Sequence, residues 1–213
     1  TGGGKSLCYQ IPALARDGMG LIVSPLIALM VDQVAALRQA GVRAEALNSD
    51  LSPEERRALW RDMRAGKVDI LYAAPETLLK PDVLDALQPI ALSLIAIDEA
   101  HCLSQWGHDF RPPYRQLDTL IERFPDTPRM ALTATADGPT RTEILGHLGI
   151  EEDHAFIAGF DRPNIRYAIL EKDNPRAQLK RFLKDRDGES GIVYCLSKRK
   201  VDETAAWLRG EGR

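Results

Sequence analysis

The ten residues LSLIAIDEAH (Leu92–His101) run from an apolar segment directly into two carboxylates. The apolar part does not alternate with polar residues, which predicts a strand buried on both faces of a parallel sheet. Ligands of such folds bind at the carboxyl ends of the strands. There Asp98 can hold Mg²⁺, and Glu99 can orient or deprotonate an attacking water. Taken alone, an Asp-Glu pair after a strand is also typical of a solvated loop or a helix cap.

Similar apolar runs recur along the chain, separated by longer amphipathic segments that predict helices. Ser52–Glu55 has the pattern of a capping box with proline at the first helical position, and Asn174-Pro175 opens another helix. This alternation predicts a doubly wound α/β fold with a parallel sheet. Besides the first segment, the predicted strands are Leu21–Ser24, Ile70–Ala73, Met130–Thr133 and Ile192–Cys195.

The composition is that of a globular protein, and the overall charge limits which partners the chain can attract. Of 213 residues, 44% are hydrophobic and 28% charged, and the net charge of −3 supplies no general attraction for nucleic acid. Any DNA binding must therefore come from local sites. Three cysteines far apart predict neither a zinc site nor a disulfide framework, so we expect small core residues in a reducing cytoplasm. No apolar run is long enough to predict a membrane span, and no signal-peptide pattern is present.

The stretch TGGGKSLCYQ (Thr1–Gln10) has the composition of a phosphate-binding loop that opens a helix. It matches the end of the pattern G-x-x-x-x-G-K-[ST], whose first glycine would fall two residues before Thr1. The lysine would reach the β- and γ-phosphates of a nucleotide, and the serine hydroxyl would bind Mg²⁺. A flexible glycine-rich tail ahead of a helix is the alternative. The candidate nucleotide-binding residues are Gly2, Gly3, Gly4, Lys5 and Ser6.

Together with these motifs, VSPLIALMVDQ (23–33), APETLL (74–79) and ALTATA (131–136) resemble the motor of superfamily 2 helicases. The segment DEAHCLSQWGHDFRPPY (98–114) is similar to the aromatic-rich loop of the RecQ family of DNA helicases. The resemblance runs through essentially the whole chain. It implies two RecA-like lobes: residues 1–160 as the first, truncated at its N-terminus, and 161–213 as the start of a C-terminally truncated second. The chain is thus expected to be a central fragment.

The resemblance implies an ATP-dependent 3′–5′ DNA helicase that uses ATP and Mg²⁺ in recombination and repair. The expected partners are single-stranded and forked DNA, and a single-stranded-DNA-binding protein that would bind through regions absent from this sequence. No binding to a membrane is expected. The expected location is the bacterial cytoplasm, in association with the nucleoid, or the nucleus if the protein is eukaryotic. The bacterial location is favoured.

The resemblance also assigns roles to particular residues. The implied catalytic residues are Lys5, Asp98, Glu99, His101 and Gln105, with Ser6 and Asp98 as Mg²⁺ ligands. The implied DNA-binding and coupling residues are Ser24, Trp106, His108, Phe110, Arg111, Thr133 and Thr135.

Several of these roles have structural alternatives. Trp106 and Phe110 offer flat faces on which bases can stack, or they are core aromatics. Ser24 and Thr133 each end a predicted strand, where a plain helix cap would also explain them. The run Lys198–Lys200 is either a solvated charge cluster or a contact to the DNA strand.

Two other functions stay open at this point. The chain can bind nucleotide or single-stranded DNA without turnover, because the second half of a composite ATP site lies outside the sequence. Alternatively, it is a phosphate-loop enzyme with a small-molecule substrate, and the aromatic loop covers that substrate.

Overall fold

In the residues that the structure describes, 4–104, 111–158 and 164–212, five parallel strands form one sheet. The structure is a computed structural model. The strand order across the sheet is β2-β3-β1-β4-β5. The strands are β1 (Met19–Val23), β2 (Ala44–Leu47), β3 (Ile70–Ala73), β4 (Leu92–Ile97) and β5 (Arg129–Ala131).

Helices cover both faces of this sheet. Alternate residues of each central strand point to opposite faces, as the pleat requires. On β4, Leu94 and Ala96 belong to one core with helices α1 and α2, whereas Ile95 and Ile97 belong to a second core with the later helices. The helices of this part are α1 (Lys5–Ala15), α2 (Ile27–Gln39), α3 (Pro53–Arg64), α4 (Pro75–Leu78), α5 (Pro81–Leu87), α6 (Pro112–Arg115), α7 (Leu117–Arg123) and α8 (Gly138–Leu148). The predicted doubly wound α/β fold is confirmed.

Local signals account for several boundaries. Ser52 accepts a hydrogen bond from the Glu55 amide, and the Glu55 carboxylate accepts one from the Ser52 amide, so the predicted capping box opens α3. Asp137 caps α8 through the Thr140 amide. Strand β2, which the sequence did not predict, is a short edge strand whose central residues, Glu45 and Ala46, are only half-buried. Its apolar signal is correspondingly weak.

The chain divides into two compact units, Thr1–Ile157 and Ala158–Arg213. The second unit contains helices α9 (Pro175–Leu183) and α10 (Lys198–Gly210). The strand predicted over Ile192–Cys195 is wrong, because these residues are not part of a strand or helix. The physical reason is that a strand requires a hydrogen-bonded neighbour, and the described part of this unit offers none. Tyr194 is accordingly 88% exposed.

Candidate active site

The turns that follow β1, β4 and β5 lie at the carboxyl edge of the sheet, where the turn after β4 contacts the N-terminus of α1. Because the strands are parallel and adjacent, these turns lie side by side, as expected for a ligand site in this fold. The Lys5 Nζ atom at the start of α1 lies 3.5 Å from Glu99 Oε1 in the turn after β4. Two motifs 94 positions apart in the sequence are thereby joined.

The ammonium group of Lys5 is buried and makes no hydrogen bond within the described residues. An ammonium group without hydrogen bonds is costly to bury, so this position is suited to an anion with several acceptor oxygens. Gly4 precedes it in the left-handed conformation, with φ of 70°, and a Cβ built there would have no atom within 4 Å. The exposed backbone beside Lys5 fits a phosphate group. Gly2 and Gly3 lie outside the described residues.

Asp98 is held at the end of β4 by its backbone and side chain. Its amide donates to the Val23 carbonyl at 2.8 Å, and its Oδ1 accepts from the Glu99 amide at 2.9 Å. Burial raises the pKa of the Asp98 carboxyl. The charge of the Glu99 side chain also raises this pKa, whereas the hydrogen bond from the Glu99 amide and the charge of Lys5 lower it. A desolvated carboxylate of this kind gains from a bound cation, so Asp98 can serve as a Mg²⁺ ligand. Ser6, the other expected ligand, is half-buried at the start of α1.

Glu99 is the non-glycine residue with positive φ in the described chain, at φ 48° and ψ 46°. This conformation costs an L-residue about 1–2 kcal/mol and is found preferentially at functional sites. It directs the carboxylate toward two cationic or protonatable groups: Lys5 and His101, whose Nδ1 lies 3.4 Å from Glu99 Oε2.

His101 connects Glu99 to the turn after β5. Its Nδ1 lies 3.0 Å from Thr133 Oγ1, and the imidazole is largely buried. The Thr133 hydroxyl donates to the Thr135 carbonyl and accepts from the Thr135 amide. The Thr133 hydroxyl is thus shared between His101 and the backbone of Thr135. A continuous chain of polar contacts therefore runs from Lys5 to Thr135.

The turn after β1 does not offer the Ser24 amide to a ligand. Ser24 is buried, and its amide donates to the Ala73 carbonyl at 3.1 Å, so that amide is not free for a phosphate. The amides available at this turn belong to the first residues of α2, which begins at Ile27. A phosphate contact at this turn would therefore use the start of α2.

The segment predicted to contact DNA is described only at its two ends. Gln105, Trp106, His108 and Phe110 lie outside the described residues. At one end, Ser104 Oγ donates to Glu143 of α8 at 2.6 Å. At the other, Arg111 Nη1 donates to the Pro25 carbonyl at 3.1 Å.

Sequence reasoning missed Tyr114, whose hydroxyl donates to the Asp98 carbonyl at 3.1 Å. It also missed the buried contact of Gln10 with the Tyr72 hydroxyl, 2.9 Å, which joins α1 to β3. Neither contact has a local signature, because both join residues far apart in the chain.

In the second unit, the run Lys198–Lys200 begins α10 behind Ser197, which caps the helix. Arg199 and Lys200 each pair with Glu203 at 3.5 and 2.8 Å. These are exposed intrahelical pairs of the kind that a solvated helix face shows.

The chain matches known proteins over its whole length. The family model described as DEAD/DEAH box helicase matches residues 1–144. A protein named ATP-dependent DNA helicase RecQ from Haemophilus influenzae is 50% identical over 212 residues, 100% of this chain and 34% of that protein. Its namesake from Bacillus subtilis is 41% identical over 203 residues, 95% of this chain and 34% of that protein. The chain spans about a third of the length of these curated relatives.

Solved helicase structures share the fold. The Pyrococcus furiosus Hef helicase domain aligns with a TM-score of 0.55 at 24% identity, over 71% of this chain and 32% of that chain. A hypothetical ATP-dependent RNA helicase from Sulfolobus tokodaii aligns with a TM-score of 0.53 at 20% identity, over 70% of this chain and 43% of that one. These likenesses confirm a RecA-like fold. Within the described part of the chain, no helix has both the length and the apolarity to cross a membrane.

Proposed function

This chain belongs to the DEAD/DEAH box helicase family, and we propose that it is the nucleotide-binding part of a RecQ-type, ATP-dependent 3′–5′ DNA helicase. The observation that carries the proposal is the buried Lys5 ammonium, which has no hydrogen bond in the described chain and faces Glu99 of the Asp-Glu-Ala-His turn. Relatives up to 50% identical bear the name ATP-dependent DNA helicase RecQ. The first lobe would comprise residues 1–160, and 161–213 would begin the second.

Each site residue would have its own role in ATP hydrolysis. Lys5 would bind the β- and γ-phosphates, and Ser6 and Asp98 would hold Mg²⁺. When bound, Mg²⁺ offsets the negative charge that develops on the phosphoryl group. Glu99 would take the proton of the attacking water on its carboxylate. His101 Nδ1 lies 3.4 Å from the second oxygen of that carboxylate, and the first oxygen would turn from Lys5 toward the water.

The same contacts suggest how hydrolysis would be coupled to DNA. His101 joins Glu99 to Thr133, and Arg111 ties one end of segment 105–110 to the turn after β1. Stacking of bases on Trp106 and Phe110 would change the position of the ATP-site residues through these contacts. The substrate would be single-stranded or forked DNA, handled in the bacterial cytoplasm.

The proposal is tested with ATP hydrolysis and ATP-analogue binding by this chain, with and without single-stranded DNA, in the wild type and Lys5→Ala. We expect Lys5→Ala to weaken analogue binding by about tenfold or more, because the phosphates lose a charged partner. The matched control is Lys67→Ala, which removes an exposed lysine after α3 and should change neither quantity.

The outcomes separate the candidate functions. Hydrolysis that DNA stimulates and Lys5→Ala abolishes supports the helicase. Lys5-dependent binding without turnover supports a chain that only binds nucleotide or DNA. Robust hydrolysis by a chain that does not bind single-stranded DNA favours an enzyme with a small-molecule substrate.

A further inference from the structure

The peptide group between Asp98 and Glu99 is held at both of its polar ends. Its N–H, which belongs to Glu99, donates to Asp98 Oδ1 at 2.9 Å. Its C=O, which belongs to Asp98, accepts from the Tyr114 hydroxyl at 3.1 Å. Because a peptide group is planar, these two contacts together fix how the plane is rotated about the chain.

The orientation of this plane determines where both carboxylates point. The plane immediately precedes the φ angle of Glu99, which is 48°. A residue with a Cβ does not stay in this region unless its surroundings hold it there. The same plane supplies the amide that fixes the rotamer of Asp98. If the plane turned over, Glu99 would relax to negative φ, and Asp98 would lose its hydrogen-bond donor.

Tyr114 is well suited to hold this plane. Its side chain is fully buried in the larger core, which also contains Cys102 and Leu117, so the hydroxyl has little freedom. It lies on α6, a short helix whose preceding residue, Arg111, donates through its backbone to the Cys102 carbonyl and through its side chain to the Pro25 carbonyl. The tyrosine is thus anchored to the turns after β1 and β4 at once.

We infer that Tyr114 is a positioning residue: through the Asp98 carbonyl, it holds Asp98 in the orientation that binds Mg²⁺ and Glu99 in its left-handed conformation. The inference deepens the proposed function and rests on it for the role of the cation. Tyr114 touches neither nucleotide nor metal in this scheme. Its hydroxyl acts only on the backbone between the two carboxylates.

The test compares the wild-type chain with Tyr114→Phe, which removes one oxygen and keeps the ring in the core. Tyr9→Phe is the matched control, since it also removes a fully buried hydroxyl, one whose contact is Tyr72 Oη at 3.3 Å. One readout is the affinity for a fluorescent ATP analogue in Mg²⁺ and in EDTA. The other is the hydrogen-exchange rate of the Glu99 amide, measured by NMR.

We expect Tyr114→Phe to lose about tenfold in affinity in Mg²⁺ and nothing in EDTA, the effect of one buried hydrogen bond. We also expect the Glu99 amide to exchange about tenfold faster, whereas Tyr9→Phe changes neither readout. Equal losses with and without Mg²⁺, or an unchanged Glu99 exchange rate, overturn the inference. A wild-type chain that binds no ATP overturns the proposed function instead, and the Glu99 exchange rate still decides whether Tyr114 holds this plane.

Discussion

The side chains of Lys5 and Glu99 form an ion pair at 3.5 Å in which each is 25% exposed. The Lys5 ammonium group therefore occupies the side of Glu99 that carries Oε1. A phosphate that takes up the ammonium would remove this partner and leave His101 as the neighbour of the carboxylate. Under the proposed function, phosphate binding would therefore release Glu99 from Lys5 through a single side chain.

Asp98 illustrates the cost of such a site in stability. Burial raises its pKa, so its charged form is less stable in the folded chain than in the unfolded chain. A raised carboxyl pKa favours folding below that pKa, and the advantage is lost as the pH rises through it. Asp98→Asn keeps the acceptor for the Glu99 amide and removes the charge. We therefore expect its melting temperature at pH 7 to exceed that of the wild type by about 2 °C.

The expected gain shrinks as the pH falls through the raised pKa, because the wild-type carboxyl then becomes neutral as well. Thermal unfolding followed by circular dichroism at several pH values measures it. Asp98→Asn should at the same time lose the effect of Mg²⁺ on ATP binding. Asp126→Asn, at an exposed position, controls for the loss of a negative charge as such. A melting temperature below that of the wild type at pH 7 would contradict the assignment of Asp98 as a desolvated carboxylate.

At the scale of the elements, the position of α1 on the sheet depends on Gly20 in β1. A Cβ built on Gly20 would lie 2.6 Å from the Cβ of Ala13 in α1, closer than two such carbons approach. We expect Gly20→Ala to lower the free energy of unfolding by about 1–3 kcal/mol, because the helix must shift away from the strand. Denaturant unfolding measures this loss. Since α1 carries Lys5, binding of the ATP analogue should weaken as well.

Gly146→Ala is the matched control for Gly20→Ala. Gly146 lies within α8, and an added Cβ there would have no atom within 4 Å. Alanine stabilises a helix interior relative to glycine by about 0.5–1 kcal/mol, so this variant should be as stable as the wild type or more so. Equal stability of Gly20→Ala and the wild type would show that α1 is loosely placed.

The same elements show which parts of the structure the sequence could predict. The buried strand ending at Ile97 and the capping box at Ser52 have local signatures, and both were predicted. Strand β2 was missed, since a short edge strand carries little apolar signal. Ile192–Cys195 was wrongly predicted as a strand, because apolar composition does not show whether a partner strand exists. Tyr114 was missed for a related reason: its contact is tertiary, and only the folded chain brings it to Asp98.

At the scale of the whole molecule, the two units differ in how they are stabilised. The first contains two hydrophobic clusters on opposite faces of the sheet. In the second, no side chain of the described residues is buried. Its helices contact each other through surface groups: the Arg176 guanidinium lies 5.7 Å from the Trp207 ring, and Lys180 pairs with Glu211. Exposed pairs of these kinds contribute at most about 1 kcal/mol each.

This difference predicts that the two units of the chain unfold separately. Isolated helices as short as α9 and α10 are marginal in water without a buried face, so amides of residues 164–212 should exchange with solvent within seconds. Amides of the central strands should be protected by close to the full free energy of unfolding of the first unit. Hydrogen–deuterium exchange read by mass spectrometry, peptide by peptide, measures both.

A shortened chain of residues 1–157 is the control, and its melting temperature should lie within about 2 °C of that of the full chain, because the second unit adds no buried area of its own. Protection of 164–212 lasting hours, or a large fall in melting temperature on shortening, would contradict separate unfolding of the two units.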